Sequence, residues 1–158
     1  MSQTTDDEIR PGETALALPP AGDAQLRFIG RIRTPFATRR DCPRQGDPDG
    51  PECRIELDPD WEPALAGIER AERVQVLYWL DRARRDLLTQ SPHGDGATRG
   101  TFALRSPVRP NPIGISSVRL LRREGPVLVV RGLDCVDGTP LLDLKPDRCE
   151  HHGRPKDD

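Results

Sequence analysis

Proline and glycine punctuate this chain so often that long helices have little room to form. Seventeen prolines and fourteen glycines make up about a fifth of the 158 residues. Proline ends a helix and glycine weakens one, so a helix bundle is excluded. Between these breaks lie short apolar stretches with β-branched and aromatic residues, which read as strands. Leu26–Arg33 is one, ended by Thr34-Pro35, and Arg54–Leu57, Val74–Leu80, Gly100–Leu104, Ile115–Leu121, Val127–Leu133 and Leu141–Lys145 follow. Pro63–Glu72 reads as a helical turn or two and Arg82–Leu88 as a short Arg-rich helix. The expected fold is all-β: one six- to seven-stranded barrel with one or two short helices and disordered tails. A doubly wound sheet would need long helices between its strands, and the sequence has none to offer.

The domain plan follows from composition. Hydrophobic residues are 34% and aromatics 4%, a thin core for this length. Residues 1–24, with Pro11-Gly12, Pro19-Pro20 and Gly22-Asp23, read as a disordered arm, residues 25–146 as the barrel domain and residues 147–158 as a polar tail. The longest apolar run falls short of the ~18 residues a membrane helix needs, and Met1–Arg10 is too acidic for a secretory signal. The expectation is a soluble, cytoplasmic protein.

The 24 basic residues are 22 arginines and two lysines, Lys145 and Lys156. Arginine grips carboxylate or phosphate with a planar fork, although base composition of the genome is the default explanation of the bias. The four cysteines, Cys42, Cys53, Cys135 and Cys149, form no C-x-x-C pair. Cys149-Glu150-His151-His152 has no partner pair, so no metal site is expected. Sequences of the types GxxxxGK[ST], GxSxG and strand-linked GxGxxG are absent, which disfavours phosphate-loop, nucleophile-elbow and Rossmann chemistry. His93, His151 and His152 lie in a loop and a tail, which leaves acids as the candidates for proton transfer.

Three stretches hold candidate chemistry. In Gly100–Ser117, Arg105 and Arg109 flank prolines that stiffen the chain, so the segment reads equally as a rigid binding loop and as a plain crossover. In Leu133–Pro146 stand Asp134, Asp137 and Asp143; Asp137-Gly138 signals a turn, and Asp143 shares a strand face with Lys145 as an ordinary ion pair would. Cys42-Pro43-Arg44-Gln45-Gly46 offers fork and amide hydrogen bonds.

Together these residues carry a resemblance. Phe28–Phe36 (FIGRIRTPF), Pro43-Arg44-Gln45, Arg105–Gly114 (RSPVRPNPIG) and Leu133–Pro146 (LDCVDGTPLLDLKP) resemble, in order, the motifs of the TsaA-like family, also called YaeB-like or TrmO. The resemblance implies a β-barrel that binds S-adenosylmethionine and methylates N6 of threonylcarbamoyladenosine beside the tRNA anticodon. It implies cofactor contacts from Pro43, Arg44, Gln45, Leu80, Asp81, Arg105, Ile115, Ser116, Arg131, Gly132, Leu133 and Asp134. The implied partners are the tRNA anticodon stem-loop and a second copy of the chain, with neither DNA nor membrane among them. For the loss of a proton from the substrate nitrogen, Asp137 and Asp143 are the candidate catalytic acids, with Asp134 as a further acceptor. Arg84, Arg85 and Arg109 are the candidate RNA contacts, a solvated helix face being the equal alternative for the first two. The chain departs from the family pattern at Ala71-Glu72-Arg73, Asp81 and Asp147. These departures leave room for a methyltransferase of a different, small-molecule substrate, or for a non-catalytic cofactor- or RNA-binding module.

Overall fold

Strands in which buried positions mostly alternate with exposed ones close on themselves in the computed structural model, which describes residues 8–20 and 22–147. Strand β1 is Thr14–Ala15, β2 Gly30–Arg33, β3 Glu52–Leu57, β4 Arg73–Trp79, β5 Leu87–Gln90, β6 Arg99–Gly100, β7 Ile113–Glu124, β8 Val127–Arg131 and β9 Pro140–Pro146. Two compact units emerge. One holds the described residues of Met1–Gln25 and Leu80–Ile113, the other those of Leu26–Trp79 and Gly114–Asp158.

The second unit is the barrel, a closed antiparallel array in the order β2-β3-β8-β7-β4-β9. Its interior comes from alternate positions: Ile32 on β2, Cys53, Ile55 and Leu57 on β3, Val74, Val76 and Tyr78 on β4, Val118 on β7, Leu128 and Val130 on β8 and Leu141 on β9 are all buried. β9 closes the ring by pairing with β2 at Leu141↔Gly30 and with β4 at Val76↔Leu144. Closure leaves no open sheet edge in the ring. The outward positions carry arginine–glutamate pairs such as Arg33–Glu56 at 2.7 Å and Arg123–Glu69 at 3.0 Å, which surface screening makes minor contributors to stability.

The first unit contains a three-stranded sheet ordered β1-β5-β6. Part of the arm expected over residues 1–24 therefore takes up regular structure. Thr14 pairs with Thr89, its backbone N–H donating to Thr89 Oγ1 at 3.0 Å, and Arg10 Nη1 donates to Ser91 O at 3.0 Å. Of the expected tail over 147–158, Asp147 alone lies among the described residues, and Cys149–His152 falls outside them.

Two expected elements differ. There is no helix over Arg82–Leu88: the chain turns after Leu80, whose carbonyl accepts from Ala83 N at 3.1 Å, and then extends into β5. Arg84 forks onto Asp86, two residues on, at 2.7 and 2.9 Å, a pairing that suits an extended chain because i and i+2 share a face there. The strand expected over Gly100–Leu104 shortens to Arg99–Gly100 and becomes a 3-10 turn at Thr101–Ala103. Further 3-10 turns at Pro59–Leu65 and Ile68–Arg70 occupy the region read as helical from Pro63 to Glu72. Among the described residues no helix is long and apolar enough to cross a membrane.

Thr101 explains the shortened strand. It is buried, its hydroxyl donates to Leu87 O at 2.7 Å, and it accepts from Gln90 Nε2 at 3.0 Å. Thr101→Val keeps the shape but leaves buried polar groups short of a partner. It should lower stability by about 1–3 kcal/mol, read as a lower urea midpoint at unchanged slope.

Candidate functional site

Tyr78 is the chain's one tyrosine and stands at an inward position of β4. A buried phenol needs a partner for its hydroxyl. Here the O–H donates to Asp134 Oδ1 at 2.9 Å and lies 2.8 Å from Ser116 Oγ. Ser116 Oγ is itself 3.3 Å from the same Asp134 oxygen. The phenol gives its one proton to Asp134, and the single serine proton lies within reach of both the phenol oxygen and the same carboxylate oxygen. Both contacts to Asp134 fall on Oδ1. Among the described residues no protein group hydrogen-bonds to Oδ2, which therefore can accept from a ligand. Burial, and then the Asp134 charge, push the Tyr78 ionisation well above its ordinary value, so the phenol remains a neutral donor.

Close backbone packing fixes this cluster. Gly114 lies directly against the Tyr78 ring: a Cβ there would come within 2.2 Å of a ring carbon. Gly46 approaches Gly132 so closely that a Cβ would sit 1.8 Å from the Gly132 carbonyl oxygen. That contact pins the loop carrying Pro43, Arg44 and Gln45 beside the segment leading to Asp134. Cys42 feels the Asp134 charge: its thiol is pushed up by burial first, then by Asp134 and Asp41. The Leu133–Thr139 segment is tied down by the Thr34-Pro35-Phe36 turn. Thr34 Oγ1 donates to Cys135 O at 2.8 Å, and Asp137 N donates to Phe36 O at 2.8 Å.

The residues singled out from the sequence divide accordingly. Ser116 and Asp134 join directly, Gly132 and the loop from Pro43 to Gln45 meet through Gly46, and Leu133 is buried next to them. Ile115 faces outward at 44% exposure. Arg131 turns away from the cluster, donating to Gly50 O at 2.7 Å. Leu80, Asp81 and Arg105 belong to the other unit, where Asp81 and Arg105 are exposed.

Asp137 accepts from Thr34 N at 3.1 Å and shapes a turn, while Asp143 pairs with Lys145 at 3.2 Å on the barrel exterior. Of the arginines, Arg84 grips Asp86, Arg85 donates to Pro110 O at 2.6 Å, and Arg109 donates to Leu104 O at 2.6 Å. Each thereby helps hold its own unit together. Sequence reasoning missed Tyr78, although the alternation Val74, Val76, Tyr78 inside an apolar run signals a buried hydroxyl.

The departures from the family pattern also have a place. Arg73 donates to Ser117 Oγ at 3.2 Å and to Ser117 O at 2.9 Å, and the Ser117 hydroxyl in turn donates to Asp147. Ser117 is the outward neighbour of inward Ser116, so this linkage lies on the opposite face of β7 from Tyr78. Among the described residues there is no group of three or more His, Cys, Asp and Glu suited to a metal ion.

With this geometry in view, known proteins are informative. Residues 31–149 match the family model of the tRNA-methyltransferase O N-terminal domain. The "Probable S-adenosyl-L-methionine-binding protein VirR" of Rhizobium radiobacter is 54% identical over 140 residues, covering 89% of this chain and 80% of that protein. The "tRNA (adenine(37)-N6)-methyltransferase" of Mus musculus is 38% identical over 88 residues, 54% of this chain and 20% of that protein. The crystal structure of TrmO from Pseudomonas aeruginosa superposes with a TM-score of 0.66 at 31% identity, covering 87% of this chain and 62% of that one. The chain thus spans less than two thirds of that solved TrmO chain.

Burial next to Asp134 also marks Cys135, whose thiol is pushed from the ordinary 9.0 to about 12, chiefly by desolvation. The folded chain therefore holds this proton more tightly than the unfolded one. The resulting stability is complete below about pH 9 and is lost as pH rises from 9 towards 12. Urea titrations at stepwise alkaline pH should show that decline, and Cys135→Ala should make it shallower, with buried Cys53, pushed to about 11, supplying part of what is left.

Proposed function

The chain belongs to the family of the tRNA-methyltransferase O N-terminal domain, and from that premise we propose that it is an S-adenosylmethionine-dependent methyltransferase acting on N6 of threonylcarbamoyladenosine beside the tRNA anticodon. The observation that carries the reading is the convergence on Asp134. The loop holding Pro43, Arg44 and Gln45 is pinned at Gly46 against Gly132, and Tyr78 and Ser116 hold one carboxylate oxygen while the other stays open.

These residues fit the cofactor. An open carboxylate oxygen suits a ligand that carries an ammonium, hydroxyls and a sulfonium charge. The Gln45 amide offers both a donor and an acceptor edge for a purine, and Arg44 offers a fork for a carboxylate. When bound, S-adenosylmethionine supplies an electrophilic methyl group, and the protein's part is orientation and electrostatics.

Within that division, Asp134 Oδ2 is the group positioned to accept a hydrogen bond or a proton. Tyr78 is no base, because its ionisation lies far above neutral pH; it fixes the carboxylate that is one. Neither Asp137, which accepts from Thr34 N, nor Asp143, which pairs with Lys145, shares a hydrogen bond with Tyr78 or Ser116, so the proton-accepting role is assigned to Asp134. The same reading includes a cytoplasmic homodimer, for which outward Ile113 and Ile115 at 40% and 44% exposure offer apolar surface on β7.

The Arg73–Ser117–Asp147 linkage at positions that depart from the family favours one second reading, methyl transfer to a different substrate. Calorimetry with S-adenosylmethionine, then transfer of labelled methyl to bulk tRNA with nucleoside mass spectrometry, tests both. Binding, with one newly methylated adenosine, is the expected result. Binding without tRNA methylation overturns the tRNA assignment, and no binding overturns the family activity altogether. Steep salt dependence of substrate affinity should accompany an RNA substrate.

Asp134→Asn should reduce methyl transfer roughly a hundredfold, the usual scale for a lost acid–base group. Asp137→Asn and Asp143→Asn should each keep near wild-type transfer.

A further inference from the structure

Phe102 is 79% exposed, the most exposed of the large apolar side chains among the described residues. A single exposed apolar side chain is ordinary on a protein surface; what sets this one apart is how its exposure is fixed and what lies over its ring. Its exposure is built in. Thr101, the residue before it, is buried and locked by hydrogen bonds to Leu87 O at 2.7 Å and from Gln90 Nε2 at 3.0 Å. The same Gln90 amide donates to Val108 O at 2.9 Å, tying down the far side of the loop. With Thr101 turned inward, the next side chain is held outward.

Arg109 completes the feature. Its guanidinium lies over the Phe102 ring, 5.8 Å from the centroid. It is held there by Leu104 O at 2.6 Å and Ser106 O at 3.3 Å, neutral acceptors that leave its charge unspent. From Gly96 to Ile113 the chain carries Arg99, Arg105 and Arg109 and no Asp or Glu. Arg99 and Arg105 are exposed, and neither joins an ion pair among the described residues. An aromatic face backed by a fixed cation, in a segment of unmixed positive charge, suits a flat ring attached to a polyanion.

We propose that Phe102 is a stacking platform for an unpaired base of single-stranded RNA, with the segment's arginines meeting the phosphates. The proposal rests on the tRNA reading above and adds which part of the RNA is gripped: a splayed loop base rather than a duplex. Charge decides for RNA over a second copy of this chain, whose net charge is -2 and which would bring no comparable density of anions.

The test measures binding of the full chain, saturated with S-adenosylmethionine, to an anticodon stem-loop and to the same stem closed by a tight tetraloop. Phe102→Ala should weaken stem-loop binding roughly five- to hundredfold, the scale of one lost base stack, and change tetraloop binding little. Phe102→Trp should restore it, and its added fluorescence should be quenched by the stem-loop beyond any response of native Trp61 and Trp79. Melting temperature and cofactor affinity should stay at wild-type values in Phe102→Ala, because the ring contributes little buried surface. Equal stem-loop affinity of wild type and Phe102→Ala overturns the platform and leaves the tRNA reading standing. A variant that loses self-association in sedimentation but keeps RNA affinity overturns it in favour of a second copy. A wild-type chain that binds neither RNA overturns the tRNA reading and the platform together.

Discussion

The Tyr78 hydroxyl gives its one proton to Asp134, and much of the barrel's inner organisation follows from keeping that bond. A phenol inside a closed sheet cannot stay unpaired without a cost of about 1–3 kcal/mol, and a half-buried carboxylate is worse off alone. Each group answers the other's need. The bond works because three strands deliver their parts to one place. β4 turns position 78 inward, β7 offers Gly114 and Ser116 at inward positions, and the chain leaving β8 brings Asp134. Gly114 is what lets the ring lie flat against β7, since any side chain there would occupy the ring's own volume. The outcome is a carboxylate with one oxygen fixed and the other available, which is the preorganisation a ligand site requires.

How much of this was legible in the sequence depends on which physical rule governed each piece. The barrel strands were readable because burial on one face writes a period of two, as in Val74, Val76 and Tyr78. Arg82–Leu88 misled for a definable reason. Closely spaced arginines favour helix by propensity, but the Arg84–Asp86 fork and the Arg85 bond to Pro110 O reward an extended chain. Gly100–Leu104 misled because Thr101 spends its hydroxyl on Leu87 O, which no local pattern announces. The pairing of Thr14 with Thr89 also went unread, since contacts so distant in sequence leave no local signature.

The candidate site shows the same division. Motif resemblance brought forward Ser116, Gly132 and Asp134, and the geometry draws them together. It was silent on Tyr78, which carries the decisive hydrogen bond. Counting acids brought forward Asp137 and Asp143, but composition cannot tell which partners an aspartate meets. Thr34 N and Lys145 are those partners, and only the fold brings them there. The arginines teach a related lesson. Arg85, Arg109 and Arg131 each donate to a backbone carbonyl, so much of the unusual arginine content serves as scaffolding that retains its charge. A guanidinium that is held by neutral carbonyls can still attract phosphate, whereas one forked onto a carboxylate, as Arg84 is, has largely lost that capacity.

The alternation that builds the barrel also separates two chemistries on one strand. Ser116 and Ser117 are neighbours, yet one faces Tyr78 and Asp134 and the other faces Arg73 and Asp147. A change at the outward set passes through no side chain of the inward set, because the β7 backbone lies between them. Arg73 and Asp147 both differ from the family pattern, and they meet through Ser117, so the two departures form one physical unit. Such a unit can alter what approaches the outer face while Asp134 keeps its oxygen open within. The sheet's pleat thus gives this fold a way to vary what it meets outside without disturbing the Tyr78–Asp134 bond inside.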